Sequence, residues 1–276
     1  MSEPISPPVE LYAREEGNGP ALVLLHGLGG DHQVWNGVIP LLSDKFRVIA
    51  PDLRGHGRSS DGENSRFSFE ELERDLLQLL EKRGLARCHL VGLSAGGFLA
   101  MRMALDHPTR LVSLTVLGAS ARCDPHTKEV GENWAKTYET EGREALLLLL
   151  VKDLYYPEWI EAHLDYLDRM RSQFDERSFR AVALWGRAIQ SFDLRGRLLR
   201  IRLPTLIIQA MDDRVIDGSH GRFLRQSIPG SELRLFRDTG HMIPVERPTE
   251  TAQAISGFLQ SAGASSAAAG PSGPAP

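Results

Sequence analysis

Gly92-Leu93-Ser94-Ala95-Gly96-Gly97 sets one serine among residues with almost no side chain. The run follows the apolar segment His89–Val91 and opens a helical pattern from Ala95. A strand–turn–helix of this kind holds its serine at the tip of a tight, strained turn, where only small neighbours fit. The first backbone N–H groups of the helix then point at any oxyanion that forms there. The chemistry to expect is attack of Ser94 on a carbonyl carbon. A glycine-rich turn with a merely capping serine would not demand four small neighbours.

A serine hydroxyl is a weak nucleophile until a base takes its proton. Of nine histidines, His241 is best placed. It lies in Thr239-Gly240-His241-Met242-Ile243-Pro244, after the last candidate strand and before a helical pattern at Pro248–Leu259. Such a loop falls at the carboxyl edge of a parallel sheet. His89 lies in a strand, His107 before Pro108, His126 and His163 in a helical stretch, and His220 at the start of a polar helix. His32 reads as surface; His26 and His56 flank glycine turns and read as loop-shaping. The imidazole needs a carboxylate to fix its tautomer. Asp212 and Asp213 both follow the apolar run Thr205–Gln209, and either could serve; Asp52, after Phe46–Ala50, is a weaker rival. No H-E-x-x-H or phosphate-loop spacing occurs, so neither a metal nor a cofactor is expected.

These residues need a scaffold. Leu22–Leu25, Phe46–Ala50, His89–Val91, Leu111–Leu117 and Thr205–Gln209 are short and continuously apolar, as in strands covered on both faces. Leu233–Phe236 is a weaker candidate, and Val9–Ala13 fits an antiparallel edge strand. Ser68 and Glu71 have capping-box spacing ahead of an apolar face at Leu72, Leu76, Leu79 and Leu80. Alternating strands and helices predict an α/β, doubly wound, mostly parallel sheet. From 121 to 203 the pattern turns helical, with candidates at Lys128–Tyr138, Glu141–Leu154, Glu158–Arg171 and Glu176–Ile189. The expected organisation is a core of 1–120 plus 204–260 with an inserted helical cap at 121–203. The last sixteen residues, 261–276, are all Ala, Ser, Gly or Pro and read as a disordered tail.

Composition sets the outer limits. The 276 residues are 42% hydrophobic and 25% charged with a net charge of −4, which gives no basic footprint for nucleic acid. The longest apolar run, Ala145–Val151, is far short of the roughly 20 residues that span a bilayer. The N-terminus shows no basic and then apolar leader, and two cysteines fit a reducing compartment, so a cytoplasmic protein is expected.

Taken together, these residues resemble the α/β-hydrolase fold superfamily over nearly the whole chain outside the tail. His26-Gly27-Leu28-Gly29 resembles its oxyanion loop, which implies that the Leu28 and Ala95 backbone N–H groups form the oxyanion hole. Pro51-Asp52-Leu53-Arg54-Gly55-His56-Gly57-Arg58-Ser59 resembles a structural turn of the family. The family's acid loop reads Gly, two residues, Asp, three residues, Pro. Here Ala210 and Asp217 replace the anchors, and that register selects Asp213. The order Ser94…Asp213…His241 is the family's, and Gly240-His241 with Glu246 and Pro248 is similar to its final motif.

The layout resembles the small-cap esterase, lactonase and haloperoxidase-like branch. It is similar to 3-oxoadipate enol-lactonases and aminoacrylate hydrolases. Haloalkane dehalogenases and epoxide hydrolases differ in placing Asp where Ser94 stands. The resemblance implies hydrolysis of a small carboxylic ester or lactone. A carbon–carbon bond hydrolase, a cofactor-free haloperoxidase or perhydrolase, and a slow-turnover receptor are its alternatives. Trp185, Val215 and Met242 are the expected substrate-binding residues. Further cap aromatics are Trp134, Tyr138, Tyr155, Tyr156 and Trp159.

Overall fold

The computed structural model describes residues 7–62, 68–173 and 176–268; the side chains of 167, 173, 176–177, 180, 183–185, 187 and 263–268 lie outside that description. The chain runs β1 (Ala13–Glu16), β2 (Ala21–Leu25), α1 (Ile39–Leu42), β3 (Arg47–Pro51), α2 (Phe69–Lys82), β4 (Cys88–Leu93), α3 (Ala95–Asp106) and β5 (Leu111–Leu117). Five helices follow: α4 (Pro125–Glu141), α5 (Arg143–Leu154), α6 (Pro157–Ala162), α7 (Leu164–Gln173) and α8 (Glu176–Gln190). The sheet resumes with β6 (Thr205–Ala210), α9 (Ser219–Ser227), β7 (Glu232–Phe236), α10 (Ile243–Glu246) and α11 (Pro248–Ala268). No helix of the described residues is long and apolar enough to cross a membrane.

The seven strands form one sheet in the order β1-β3-β2-β4-β5-β6-β7, parallel except for β1. The strand order reverses between β2 and β4. The crevice beyond their carboxyl ends is where sheets of this kind bind ligands. Both faces are covered, which is why the strands read as unbroken apolar runs. Val23, Leu25, Leu90, Leu114 and Val116 face α2, α3 and the inserted helices. Leu22, Leu24, Val91, Leu93 and Leu117 face α1 and α11.

Three local expectations shift. The edge strand starts at Ala13 rather than Val9, because the earlier amides are taken by side chains. Val9 N–H donates to Asp75 Oδ1 at 2.7 Å, and Tyr12 N–H to Ser59 Oγ at 2.9 Å. The helix expected over Glu158–Arg171 is two helices. The His163 ring donates back to Trp159 O at 2.7 Å and leaves the helical region at φ −133°, ending α6. The tail read as disordered from 261 is helical through Ala268, since alanine is the strongest helix former and α11 simply continues into it. Residues 269–276 lie outside the described residues. The capping box forms as expected: Glu71 N–H donates to Ser68 Oγ, and Ser68 N–H to Glu71 Oε2, each at 3.2 Å.

Candidate active site

Ser94 follows the last residue of β4 and precedes the first of α3, with φ 52° and ψ −119°. That is a left-handed backbone for a residue with a Cβ, strain that only a surrounding structure can hold. Its neighbours are small for a measurable reason. A Cβ on Gly92 would lie 2.2 Å from Gly96 O, and one on Gly96 would lie 2.5 Å from His26 O and 2.7 Å from Leu25 O. The helix start is pressed against the backbone at the end of β2.

The loop after β2 therefore lies over the serine. A Cβ on Gly27 would stand 3.1 Å from Ser94 Cβ. Two buried histidines brace this loop. The His26 ring donates from Nδ1 to Gly27 O at 2.7 Å and accepts the Leu53 N–H on Nε2 at 2.9 Å. The His56 ring donates to Arg54 O at 2.9 Å and accepts the Gly29 N–H at 3.1 Å. Burial lowers the pKa of His26 to about 4 and that of His56 to about 3, so both rings stay neutral and keep an accepting nitrogen. Among the described residues, neither the Leu28 nor the Ala95 N–H has an acceptor. Two uncommitted amides flank the serine.

The acid loop after β6 and the histidine loop after β7 meet in a buried pair. His241 Nδ1–H donates to Asp213 Oδ2 at 2.7 Å, with His241 3% and Asp213 7% exposed. The other carboxylate oxygen, Asp213 Oδ1, accepts the Val215 and Ile216 N–H groups at 2.9 and 2.8 Å. The carboxylate cannot turn without losing them. Asp212 is exposed, and Asp52 is fully occupied elsewhere, accepting from His32 N–H and its ring at 2.7 Å each and from Arg58 N–H at 2.8 Å. Of the three candidate carboxylates, the structure brings Asp213 to His241. Ser94 and His241 line one cavity, and the pairing leaves His241 Nε2 as the nitrogen able to take a proton.

A family model described as alpha/beta hydrolase fold matches residues 20–248. The chain belongs to the alpha/beta hydrolase fold family. It is 31% identical to "Putative carbamate hydrolase RutD" of Stutzerimonas stutzeri over 84% of this chain and 88% of that protein. It is 29% identical to 3-oxoadipate enol-lactonase 1 of Acinetobacter baylyi over 88% and 90%. The crystal structure of the enol-lactonase from Burkholderia xenovorans superposes with a TM-score of 0.83 at 29% identity, covering 91% of this chain and 97% of that one.

In this family member the inserted helices roof the serine over a cavity of about 1070 Å³. Val215, Met242 and Leu28 line it, as do Trp134, Tyr138, Tyr155 and Trp159. The Trp185 side chain lies outside the described residues. Tyr156, grouped with the cap aromatics, turns away into a small surface hollow beside Asp213. Sequence reasoning passed over Tyr166 and Phe179, which line the cavity. The spacing Trp159, His163, Tyr166 has the period of a helical face in the sequence, although the helix breaks at His163, and that signal is shared with ordinary core packing.

The roof is tied to the loops that carry Asp213 and His241. Glu246 Oε2 accepts Gly240 N–H at 3.0 Å from the histidine loop and Tyr156 N–H at 3.1 Å from the roof. Burial raises the Glu246 pKa, with the two amides working against that rise. On the acid side, His126 Nε2–H donates to Arg214 O at 2.8 Å, and Arg214 donates to Lys152 O at 2.9 Å.

Proposed function

We propose that this chain is a serine hydrolase that cleaves a carboxylic ester or lactone through an acyl-enzyme. The observation that carries the reading is the pairing of His241 with Asp213 at 2.7 Å in the cavity that also holds Ser94 on a strained turn. Ser94 Oγ attacks the carbonyl carbon while His241 Nε2 takes its proton. Asp213 holds the tautomer that leaves Nε2 free and stabilises the imidazolium that forms. The Leu28 and Ala95 amides receive the oxyanion; each such donor is worth about 10²–10³ in turnover. His241 then returns the proton to the departing alkoxide, and water, activated by the same ring, releases the acid and restores the serine. A lactone leaves its hydroxyl on the acyl chain, so the whole product departs in this second step.

Cavity size favours this over a small carbamate. A volume of about 1070 Å³ walled by Trp134, Tyr138, Leu146, Leu150 and Phe179 would stand mostly empty around so small a molecule. The test is hydrolysis of p-nitrophenyl acetate, butyrate and octanoate by the wild type and Ser94→Ala. Turnover should fall by about 10⁴ or more in the variant, with unchanged circular dichroism. Retained turnover in a clean preparation, or absence of fluorophosphonate labelling at Ser94 in the wild type, would overturn the reading.

A further inference from the structure

The roof beside His241 carries a pair of hydroxyls that acyl transfer does not use. The segment that bears the first is packed on the histidine loop: a Cβ on Gly240 would lie 2.7 Å from the Tyr155 carbonyl carbon, and Met242 N–H donates to Leu154 O at 3.1 Å. Tyr155 follows α5 and is 3% exposed; Tyr166 lies on α7. Both line the cavity, with their hydroxyl oxygens 2.9 Å apart.

Two phenols hold two protons, and their mutual hydrogen bond uses one. The other has no acceptor among the described residues. Tyr166 is half-buried at the cavity wall, so this proton faces the space a substrate enters, where an acceptor oxygen of the substrate can replace water on it. Glu246 does not take it: Oε2 accepts from Gly240 and Tyr156, and Oε1 has no hydrogen-bond partner among the described residues. Nor can the pair drift. The Trp159 ring stacks on Tyr155 at 5.3 Å and on His163 at 4.2 Å, and meets Tyr166 edge-on at 5.2 Å. Burial raises the pKa of both phenols, so the hydroxyls keep their protons. The cavity wall is mixed, with Trp134, Tyr138, Leu150 and Phe179 beside polar residues such as Asp31, Arg169 and Glu246, and the hydroxyl pair is a neutral donor within it whose position the rings around it fix.

We propose that the Tyr155–Tyr166 hydroxyl pair is a specificity-determining donor that takes an acceptor oxygen carried by the substrate away from its scissile carbonyl. The substrate class is then an ester or lactone bearing a second carbonyl, ether or carboxyl oxygen, rather than a plain alkyl ester. The scissile bond in this statement rests on the function proposed above; the second acceptor does not. The pair acts through binding, so its signature is in KM.

The test uses matched esters that differ by one oxo group. In the acyl chain these are p-nitrophenyl 4-oxopentanoate against pentanoate and 6-oxoheptanoate against heptanoate; in the alcohol, 3-oxobutyl propanoate against butyl propanoate. In the wild type at least one oxo ester should exceed its partner by about three- to tenfold in kcat/KM, through KM, as expected of one neutral hydrogen bond. In Tyr155→Phe/Tyr166→Phe that ratio should collapse towards one; both hydroxyls are removed because either alone would keep a proton to donate. Both members of a pair are measured on the same preparation, so a partly folded variant does not alter the ratio. A parallel arm measures binding of the same esters to Ser94→Ala and to Ser94→Ala/Tyr155→Phe/Tyr166→Phe by tryptophan fluorescence, with Trp159 beside the pair. Ratios below about twofold in every pair, or a ratio that survives Tyr155→Phe/Tyr166→Phe, would overturn the proposal. Discriminating binding without any hydrolysis by the wild type would overturn the ester-hydrolase reading and leave this one standing.

Discussion

The loops at the sheet edge and the helical roof above them are built on different principles. At the edge, backbone atoms set every position. Asp213 is held by two amides and each of His26 and His56 by one amide and one carbonyl, while at Gly92 and Gly96 a Cβ would come within 3 Å of neighbouring carbonyl oxygens. In the roof, side chains lean on side chains: Tyr138 stacks on Phe179 at 4.6 Å, and Trp159 lies between Tyr155 and His163. Backbone contacts leave no room for substitution, whereas a packed wall can be recut with small losses. The edge therefore suits the invariant chemistry of a reaction, and the roof suits the choice of substrate.

The largest test of that contrast lies in the acid loop, where two adjacent aspartates have opposite surroundings. Asp213→Asn should lower kcat on p-nitrophenyl butyrate by about 10³–10⁴, because an amide at this place favours the imidazole tautomer with its proton on the wrong nitrogen. Asp212→Asn should change it by less than about twofold, since the side chain is exposed. Equal losses in the two variants would mean that the loop, rather than the carboxylate, is what His241 needs.

A pair of glycines carries the contrast into stability. A methyl at Gly96 would meet the carbonyls of His26 and Leu25, neither of which can retreat without opening β2. Gly96→Ala should lose about 3 kcal/mol or fail to fold. Gly131 lies inside α4 of the roof with nothing within 4 Å of a built Cβ. Gly131→Ala should gain about 0.5–1 kcal/mol from helix propensity alone. Urea unfolding of both variants measures this. A tolerated Gly96→Ala would show that the elbow can relax and that the edge is less rigid than its contacts imply.

The same division explains what could be read from the residues. Gly92, Gly96 and Gly97 announced the elbow because tight backbone approach admits few residue types, and the strands were visible because burial on both faces demands unbroken apolar runs. The choice between Asp212 and Asp213 was not legible from the residues themselves. It depends on which side chain meets the Val215 and Ile216 amides, and the family's spacing had to decide it. In the roof, four helices were expected and five formed, because the break at His163 is made by a ring bonding its own helix. Tyr166 and Phe179 could not be told from core packing, since periodicity marks a buried face without saying whether it meets protein or cavity. The edge strand slipped because Asp75 and Ser59, distant in sequence, take amides that would otherwise have paired.

An effect seen only in acid concerns the histidines that brace the loop above Ser94. Between pH 6.5 and about 4 the unfolded chain binds a proton on His26 that the folded chain refuses, and His56 behaves likewise down to about 3. The unfolded state then binds more protons, so stability falls as pH falls, by about 1.4 kcal/mol per pH unit for each ring. Above pH 6.5 neither contributes a slope. The buried carboxyls of Glu73, Asp75 and Glu246, whose pKa values are raised by burial, act in the opposite sense, so the total slope mixes both. Replacing one ring isolates its share. His56→Gln should reduce the slope of unfolding free energy between pH 6 and 4 by about 1.4 kcal/mol per unit, whatever it does to stability at pH 7. An unchanged slope would mean that His56 takes up its proton in the folded state. The Gly29 amide would then lack its acceptor, and the loop above Ser94 would be held by side-chain packing, as the roof is.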